Sequence, residues 1–313
     1  MDSTIIIDTE TYVEKIITKI TQSSEAPKCK DDKKCAPGVL YEAGSCARLF
    51  VLVELAKAFN KTVEKQHQIK LVSNYELLYP RQYKKYLVQE LGKRIGDKCT
   101  TQKCWTQQQF VNYMDSRARD EYLKYTFRPD SPQGKFEWLC TFDINDTLAQ
   151  YERKYNDFKF FGAIPMDFAD LPSIEVGHID YNRYYKSGKT KLGVIFNLDD
   201  HDEPGSHWTS LFTDMKNGKI FYFDSVAVKP EKRVRILMNQ QAKFLKSIGH
   251  SMDNIRIDYN RIQHQKKGTE CGVYSINFLV RMARGDDFDK LCANVIPDDK
   301  MNKCRSVYFS KRS

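Results

Sequence analysis

No apolar run in this chain approaches the roughly 18 residues that a bilayer span requires, so the sequence offers no membrane-spanning segment. Its opening residues, Met1-Asp2-Ser3-Thr4-Ile5-Ile6-Ile7-Asp8, hold a short apolar run between acids with no basic stretch ahead of it. The expectation is therefore no secretory signal and an intracellular protein. Internal repeats and low-complexity tracts are absent, which excludes a repeat architecture. Tight Cys-x-x-Cys pairs are absent too. The nearest approaches, Cys29-x5-Cys35 and Cys99-x4-Cys104, have no histidines placed to complete a zinc site, so neither a metal nor another cofactor is expected. The nine cysteines are odd in number and scattered over the whole chain, which argues for reduced thiols rather than a disulfide framework.

What is present is a chain of 313 residues, 41% of them hydrophobic, long enough for two ordinary domains. The formal charge of +9 gives a basic surface, concentrated at Lys28, Lys30, Lys33 and Lys34 and again at Lys303, Arg305, Lys311 and Arg312. That balance favours acidic partners, nucleic acid among them. Against a dedicated nucleic-acid site, no basic stretch is interleaved with stacking aromatics.

Apolar spacing predicts helices over Thr9–Thr21, Ser45–Asn60, Gln82–Ile95 and Trp105–Phe127. The polar, proline-bounded stretch from Ser23 to Gly38 reads as an exposed loop, and Arg128-Pro129-Asp130-Ser131-Pro132-Gln133-Gly134 as a domain boundary. The expected organisation is a mostly helical arm over residues 1–134, a mixed core over 135–290 and a basic tail over 291–313. Within the core, Asp143–Tyr155 reads as a capped helix and Phe160–Pro165 as a turn-rich apolar segment. Lys191–Leu198, Trp208–Phe212, Lys219–Phe223 and Ile255–Tyr259 read as strands, and Pro230–Ile248 as a helix. Asn217-Gly218 supplies the positive φ angles of a tight turn between the second and third of these strands.

Four residues then stand out. Gly268 and Thr269 break any helix before Cys271, while Val273, Ile276, Leu279 and Val280 follow at near-helical spacing. Cys271 is thereby placed in the first turn, where free N–H groups and the helix dipole favour a thiolate. Antiparallel pairing through the Asn217-Gly218 hairpin brings His207, at the start of one strand, beside Asp224, at the end of the next. A thiol nucleophile needs an imidazole to move its proton and a carboxylate to fix that ring's tautomer. It also needs donors for the developing oxyanion, for which the Gln265 amide and the Cys271 N–H are available. Taken singly, Cys271 fits a buried core thiol, His207 a strand cap, Asp224 a turn former and Gln265 a loop residue. Their joint order is hard to ascribe to coincidence. His178, His201, His250 and His264 find no partner at suitable spacing and are expected to be bystanders.

The order His207-Trp208, Phe223-Asp224-Ser225, Gln265 and Cys271-Gly272-Val273, with 17 residues from His to Asp and 6 from Gln to Cys, resembles the Ulp1/SENP cysteine proteases and the adenain-type enzymes. It is most similar to the structural-polyprotein processing proteases of large DNA viruses such as African swine fever virus. Trp138-Leu139 with Asn145-Asp146-Thr147-Leu148, and the segment Phe161–Phe168, add to the likeness, which covers about residues 136–284. Glu270 stands where SUMO proteases commonly carry Asp.

The resemblance implies an α+β, papain-like core. It implies His207 as general base, Asp224 as its orienting acid, Cys271 as nucleophile and Gln265 in the oxyanion hole. Trp208 would wall a slot for glycine, which alone lacks a Cβ; an ordinary core aromatic is the even alternative for it. The implied substrate is a protein cut after glycine in Gly-Gly-X or Gly-X-Gly sites, a viral polyprotein in the host cytoplasm or virion. An isopeptidase acting on SUMO or another ubiquitin-like conjugate, an acetyltransferase on the same fold and a non-catalytic basic binding module remain open.

Overall fold

The computed structural model describes residues 35–72, 79–96, 99–134 and 136–310. The helix expected over Thr9–Thr21 and the basic stretch at Lys28–Lys34 lie outside these residues. Two compact units divide between Arg128 and Pro129.

The first unit contains helices α1 (Leu49–Asn60), α2 (Pro80–Ile95) and α3 (Ser116–Tyr125). Val51, Leu52, Leu55, Leu87, Leu91, Trp105, Phe110 and Tyr122 share its apolar core. The single helix expected over Trp105–Phe127 is broken. One turn at Gln102–Trp105 and a 3₁₀ segment at Gln109–Tyr113 precede α3. The Asp115 carboxylate accepts hydrogen bonds from the N–H groups of Arg117 and Ala118, a cap that starts a new helix and overrides the apolar period.

The reduced-thiol expectation also fails in this unit. Cys35 is bonded to Cys46 and Cys99 to Cys104, with Cα–Cα separations of 5.3 and 5.5 Å. An isolated bridge from Cys35 to Phe127 buries the former at the end of the expected loop, a placement that cysteine spacing alone does not reveal. Cys140, Cys271, Cys292 and Cys304 are free.

The second unit is built on a five-stranded sheet in the order β1 (Phe158–Ile164), β2 (Lys191–Asn197), β3 (Trp208–Asp214), β4 (Lys219–Phe223) and β5 (Arg256–Tyr259). The central pairs β2–β3 and β3–β4 are antiparallel, and the outer pairs β1–β2 and β4–β5 are parallel. Segment 160–165, expected as a turn, is the edge strand β1. Its register shifts between Phe160 and Ala163, where Gly162 takes φ +108° and the Asn145 side chain accepts from the Ala163 N–H. The turn-like residues thus mark a bulge within a strand. At the β3–β4 hairpin, Asp214 accepts from the N–H groups of Lys216 and Asn217, and Gly218 takes φ +66° before Lys219 pairs back with Asp214.

Both faces of the sheet are covered. Ile195, Trp208, Phe212, Phe221 and Phe223 point into one core, with Leu148 and Tyr151 of α4 (Thr141–Lys154). Two further helices lie between the sheet's elements: α5 (Tyr181–Lys186) precedes β2, and α6 (Lys232–Ser247) links β4 to β5. Leu192, Val194, Phe196, Leu211, Ile220 and Tyr222 alternate with the first set and meet Val234, Leu237, Met238 and Leu245 of α6. Helix α7 (Cys271–Arg284) fills the first core with Val273, Ile276, Leu279 and Val280, followed by α8 (Phe288–Ala293) and α9 (Asp298–Tyr308). The segment expected as a basic tail therefore contains α9. Met301, Tyr308 and Phe309 are buried with α7, and Arg305 is buried as well. Their apolar spacing was masked by the charged residues between them.

No helix among the described residues is long and apolar enough to cross a membrane. At Gly193 in β2, an added Cβ would lie 2.7 Å from Phe158 and 3.2 Å from Leu279. Gly193→Ala should lower stability by about 1–3 kcal/mol through overpacking. Urea unfolding would show it as a reduced midpoint at constant m value, and an unchanged midpoint would contradict the close packing.

Candidate active site

The β3–β4 ladder ends at the pair Ser210–Phe223, and the two chains run on to His207 and Asp224. There the His207 Nε2 lies 2.7 Å from Asp224 Oδ1. Asp224 is almost wholly buried at 1% exposure, so its charge requires other donors. The N–H of Val226 bonds to Oδ1 and that of Val228 to Oδ2. Asn260 grips the same residue's backbone, accepting from the Asp224 N–H and donating to its carbonyl. Asn260 carries no sequence signal, because its partner lies 36 residues away.

With Nε2 held by Asp224, Nδ1 is the ring nitrogen left for Cys271. Burial opposes charge on the His207 ring, but hydrogen bonds to Asp224 and Cys271 and their negative charge outweigh it, raising its pKa to about 9. The other free thiols sit differently. Burial pushes Cys292 up to about 12, aided by Asp289, and raises Cys304 as well. Cys140 is also raised, by burial first.

Cys271 is the first residue of α7 and is buried. No side chain caps this helix. Glu270, at the cap position, turns its carboxylate away to the Thr269 N–H and hydroxyl and to the Asn302 amide. The positive end of the helix is therefore left for another group. Gly272 follows for a steric reason: a Cβ there would lie 3.0–3.3 Å from three atoms of Leu139. Leu139 in turn accepts a hydrogen bond from the Trp208 indole at 2.9 Å, and the Ser275 hydroxyl donates to the Trp208 carbonyl. Leu139 of the Trp-Leu pair thus lies against the first turn of α7.

Gln265 is buried, with its amide oriented from both sides. Oε1 accepts from the Ser225 hydroxyl at 2.6 Å, and Nε2 donates one hydrogen to the Lys267 carbonyl at 2.6 Å. The amide nitrogen carries a second hydrogen. The N–H groups of His264 and Gln265 both donate to the Ser225 carbonyl, so the loop before α7 is tied to the residue after Asp224.

Beside His207 and Trp208 opens a cleft of about 390 Å³. Trp138, Leu139 and Cys140 line it together with Ala163–Pro165 and the loop from Asp200 to Ser206. Here one expectation is corrected: His201 has a partner. Its Nδ1 lies 2.5 Å from Asp167 Oδ2, and that hydrogen bond raises the ring's proton affinity. The two residues lie 34 apart in the chain, a pairing that local spacing could not suggest. His250 meets the Met215 carbonyl and His264 the Cys292 carbonyl. Neither joins the His207 cluster. No group of three or more metal-ligating side chains occurs among the described residues.

Residues 189–311 match the Ulp1 protease family, C-terminal catalytic domain. Over 274 residues the chain is 36% identical to a protein of Acanthamoeba polyphaga mimivirus named as a candidate thiol protease, covering 86% of this chain and 90% of that one. It is 25% identical over 258 residues to a cysteine protease of African swine fever virus, isolate Tick/Malawi/Lil 20-1/1983, covering 76% and 93% of the two chains. The crystal structure of an African swine fever virus protease has the same fold, with a TM-score of 0.59 at 21% identity over 89% of this chain and 96% of that one. A buried thiol heading a helix beside a His–Asp pair fits this kinship, and the chain belongs to the Ulp1 protease family as a cysteine-type peptidase.

Proposed function

We propose that this protein is an endopeptidase that cuts after glycine, with Cys271 as nucleophile, His207 as general base and acid, and Asp224 as orienter. The observation that carries the reading is the 2.7 Å His207–Asp224 contact at the strand ends. It commits Nε2 and turns the remaining nitrogen to the thiol. In the first step the Cys271 thiol gives its proton to His207 Nδ1 and its sulfur bonds to the scissile carbonyl carbon. The carbonyl oxygen becomes an oxyanion held by the Cys271 N–H and the second Gln265 Nε2 hydrogen. His207 then gives its proton to the amine nitrogen as the C–N bond breaks and the oxyanion collapses to a thioester. Water, deprotonated by the same ring, attacks the thioester carbon; the C–S bond breaks, the carboxylic product leaves and the ring returns the proton to the sulfur.

Preference for glycine follows from the cleft wall. Trp208 and Leu139 are fixed to each other by the indole hydrogen bond, so neither yields readily to a substrate Cβ. That these relatives are viral thiol and cysteine proteases supports viral structural polyproteins, processed in the infected cell, as substrates of this protein. A relative from the Pig/Kenya/KEN-50/1950 isolate is named a SUMO-1 cysteine protease, which supports deconjugation of a ubiquitin-like protein as the second reading. Comparing hydrolysis of a Gly-Gly-X peptide with that of a ubiquitin-like fusion separates the two; efficient cleavage of the fusion alone would overturn the first.

Cys271→Ala should lower kcat by at least about 10³-fold and leave thermal unfolding unchanged, and retained turnover would end the assignment. A Gly-Gly peptide carrying a thiol-reactive group should label Cys271 ahead of Cys140, Cys292 and Cys304, whose pKa values are raised; mass mapping decides this.

The pH dependence has a definite sign. The His207 ring is charged below about 9, so activity should persist through neutral pH and fall as pH rises through about 9. Asp224→Asn removes a charge that raises this pKa, so it should lower kcat and move the alkaline limb of kcat/KM to lower pH. An unmoved limb would show that Asp224 does not act through His207. In the same assay, Gly272→Ala should displace Leu139 and reduce kcat/KM by about 10–10² fold, with normal activity counting against the Leu139–Trp208 wall.

A further inference from the structure

We infer that Asp298, at the start of the C-terminal helix α9, is a positioning residue for the oxyanion hole. The inference rests on the reading of Gln265 as an oxyanion donor. Asp298 is 6% exposed. Its Oδ2 accepts from the backbone N–H groups of both Lys266 and Lys267, each at 3.0 Å. Lys267 is also the residue whose carbonyl accepts from Gln265 Nε2. The carboxylate therefore grips the backbone of the residue that orients the amide. Its Oδ1 faces the Tyr274 hydroxyl on α7 at 3.0 Å, and that hydroxyl also reaches the Ile296 carbonyl. Loop and catalytic helix are thus referred to the same carboxylate.

The rest of α9 continues the grip. Residues 298, 302 and 305 follow the i, i+4, i+7 spacing of one helix face. Asn302 donates to Glu270 Oε1 at 2.6 Å and accepts from Arg305 Nε at 3.0 Å, while Arg305 Nη2 donates to the Thr269 carbonyl. Four positions of the loop and the first-turn boundary, Lys266, Lys267, Thr269 and Glu270, are held from one helix. By contrast, the Lys267–Asp299 ion pair is exposed and contributes little. Charge-assisted bonds to two backbone amides are stronger than neutral ones, so Asp298 is the strongest point of this splint.

The test separates oxyanion stabilisation from thiol reactivity. Iodoacetamide alkylates Cys271 without forming an oxyanion, whereas a peptide glycinal binds by adding the thiol to its aldehyde carbon, and the resulting hemithioacetal oxygen occupies the hole. Asp298→Ala should lower kcat by about 10–10² fold, with KM nearly unchanged, because a misplaced donor costs less than a missing one. Glycinal inhibition should weaken by a similar factor while the alkylation rate holds. Asp298→Asn, which keeps an acceptor and loses the charge, should fall between wild type and Asp298→Ala, and it carries the test if the alanine variant does not fold. Combined with Gln265→Ala, Asp298→Ala should add little further loss.

Unchanged glycinal inhibition in the Asp298 variants, with inhibition weakened in Gln265→Ala, would overturn this inference alone. Equal losses in alkylation and turnover, accompanied by a lower unfolding temperature, would also overturn it, leaving α9 a purely structural element. No effect of Gln265→Ala on kcat or glycinal inhibition would instead overturn the oxyanion reading beneath it.

Discussion

A buried carboxylate sets the terms for this site. Asp224 is kept from water, and backbone N–H groups and the His207 ring supply the donors that its buried oxygens need. The same hydrogen bond decides which nitrogen of His207 is available to Cys271. Holding that geometry demands a fixed end of β4: Asn260 grips the Asp224 backbone, and the Ser225 carbonyl accepts from the N–H groups of His264 and Gln265. The sheet thus serves the site through register: a shift of one residue along β3 would turn His207 to the opposite face.

Cys271 is governed by a different constraint, the close approach of α7 to the segment before α4. Gly272 permits Leu139 to lie on the first turn, and Leu139 holds the Trp208 indole that follows His207. Gly272 directly follows Cys271, and Trp208 directly follows His207. Packing and chemistry therefore cannot be varied independently at Gly272 or Trp208. The uncapped helix start makes the same point, because Glu270 turns its side chain into the loop and leaves the N–H groups beyond it without a side-chain cap.

Much of the site was legible because its residue types lie in short, local contexts: His207 and Asp224 at two ends of one hairpin, and Cys271 between a helix-breaking Gly-Thr and an apolar helix. Long-range partners escaped. Cys35–Cys46 joins through a bridge to Phe127, His201 pairs with Asp167, and Asn260 holds Asp224. None of these leaves a local period. Segment 160–165 was misread because Gly162 and Pro165 carry turn chemistry while serving a bulge and a strand end. Helix α9 was hidden by net charge: Arg305 reads as surface by type, yet it is buried against the Thr269 carbonyl.

The catalytic candidates and α9 lie within residues 189–311, the stretch that matches the protease family, but half of the cleft does not. Trp138, Leu139 and Cys140, with Ala163, Ile164 and Pro165, line it from earlier in the chain. The candidate chemistry and the cleft wall therefore come from different stretches of the chain. Thiol, imidazole and carboxylate all lie within the matched residues. The wall comes from the segment before α4 and from β1, and the indole hydrogen bond from Trp208 to Leu139 is where the two sets meet. A change in that contact would disturb the cleft wall and the residue that follows His207 together, so the two are coupled through one hydrogen bond.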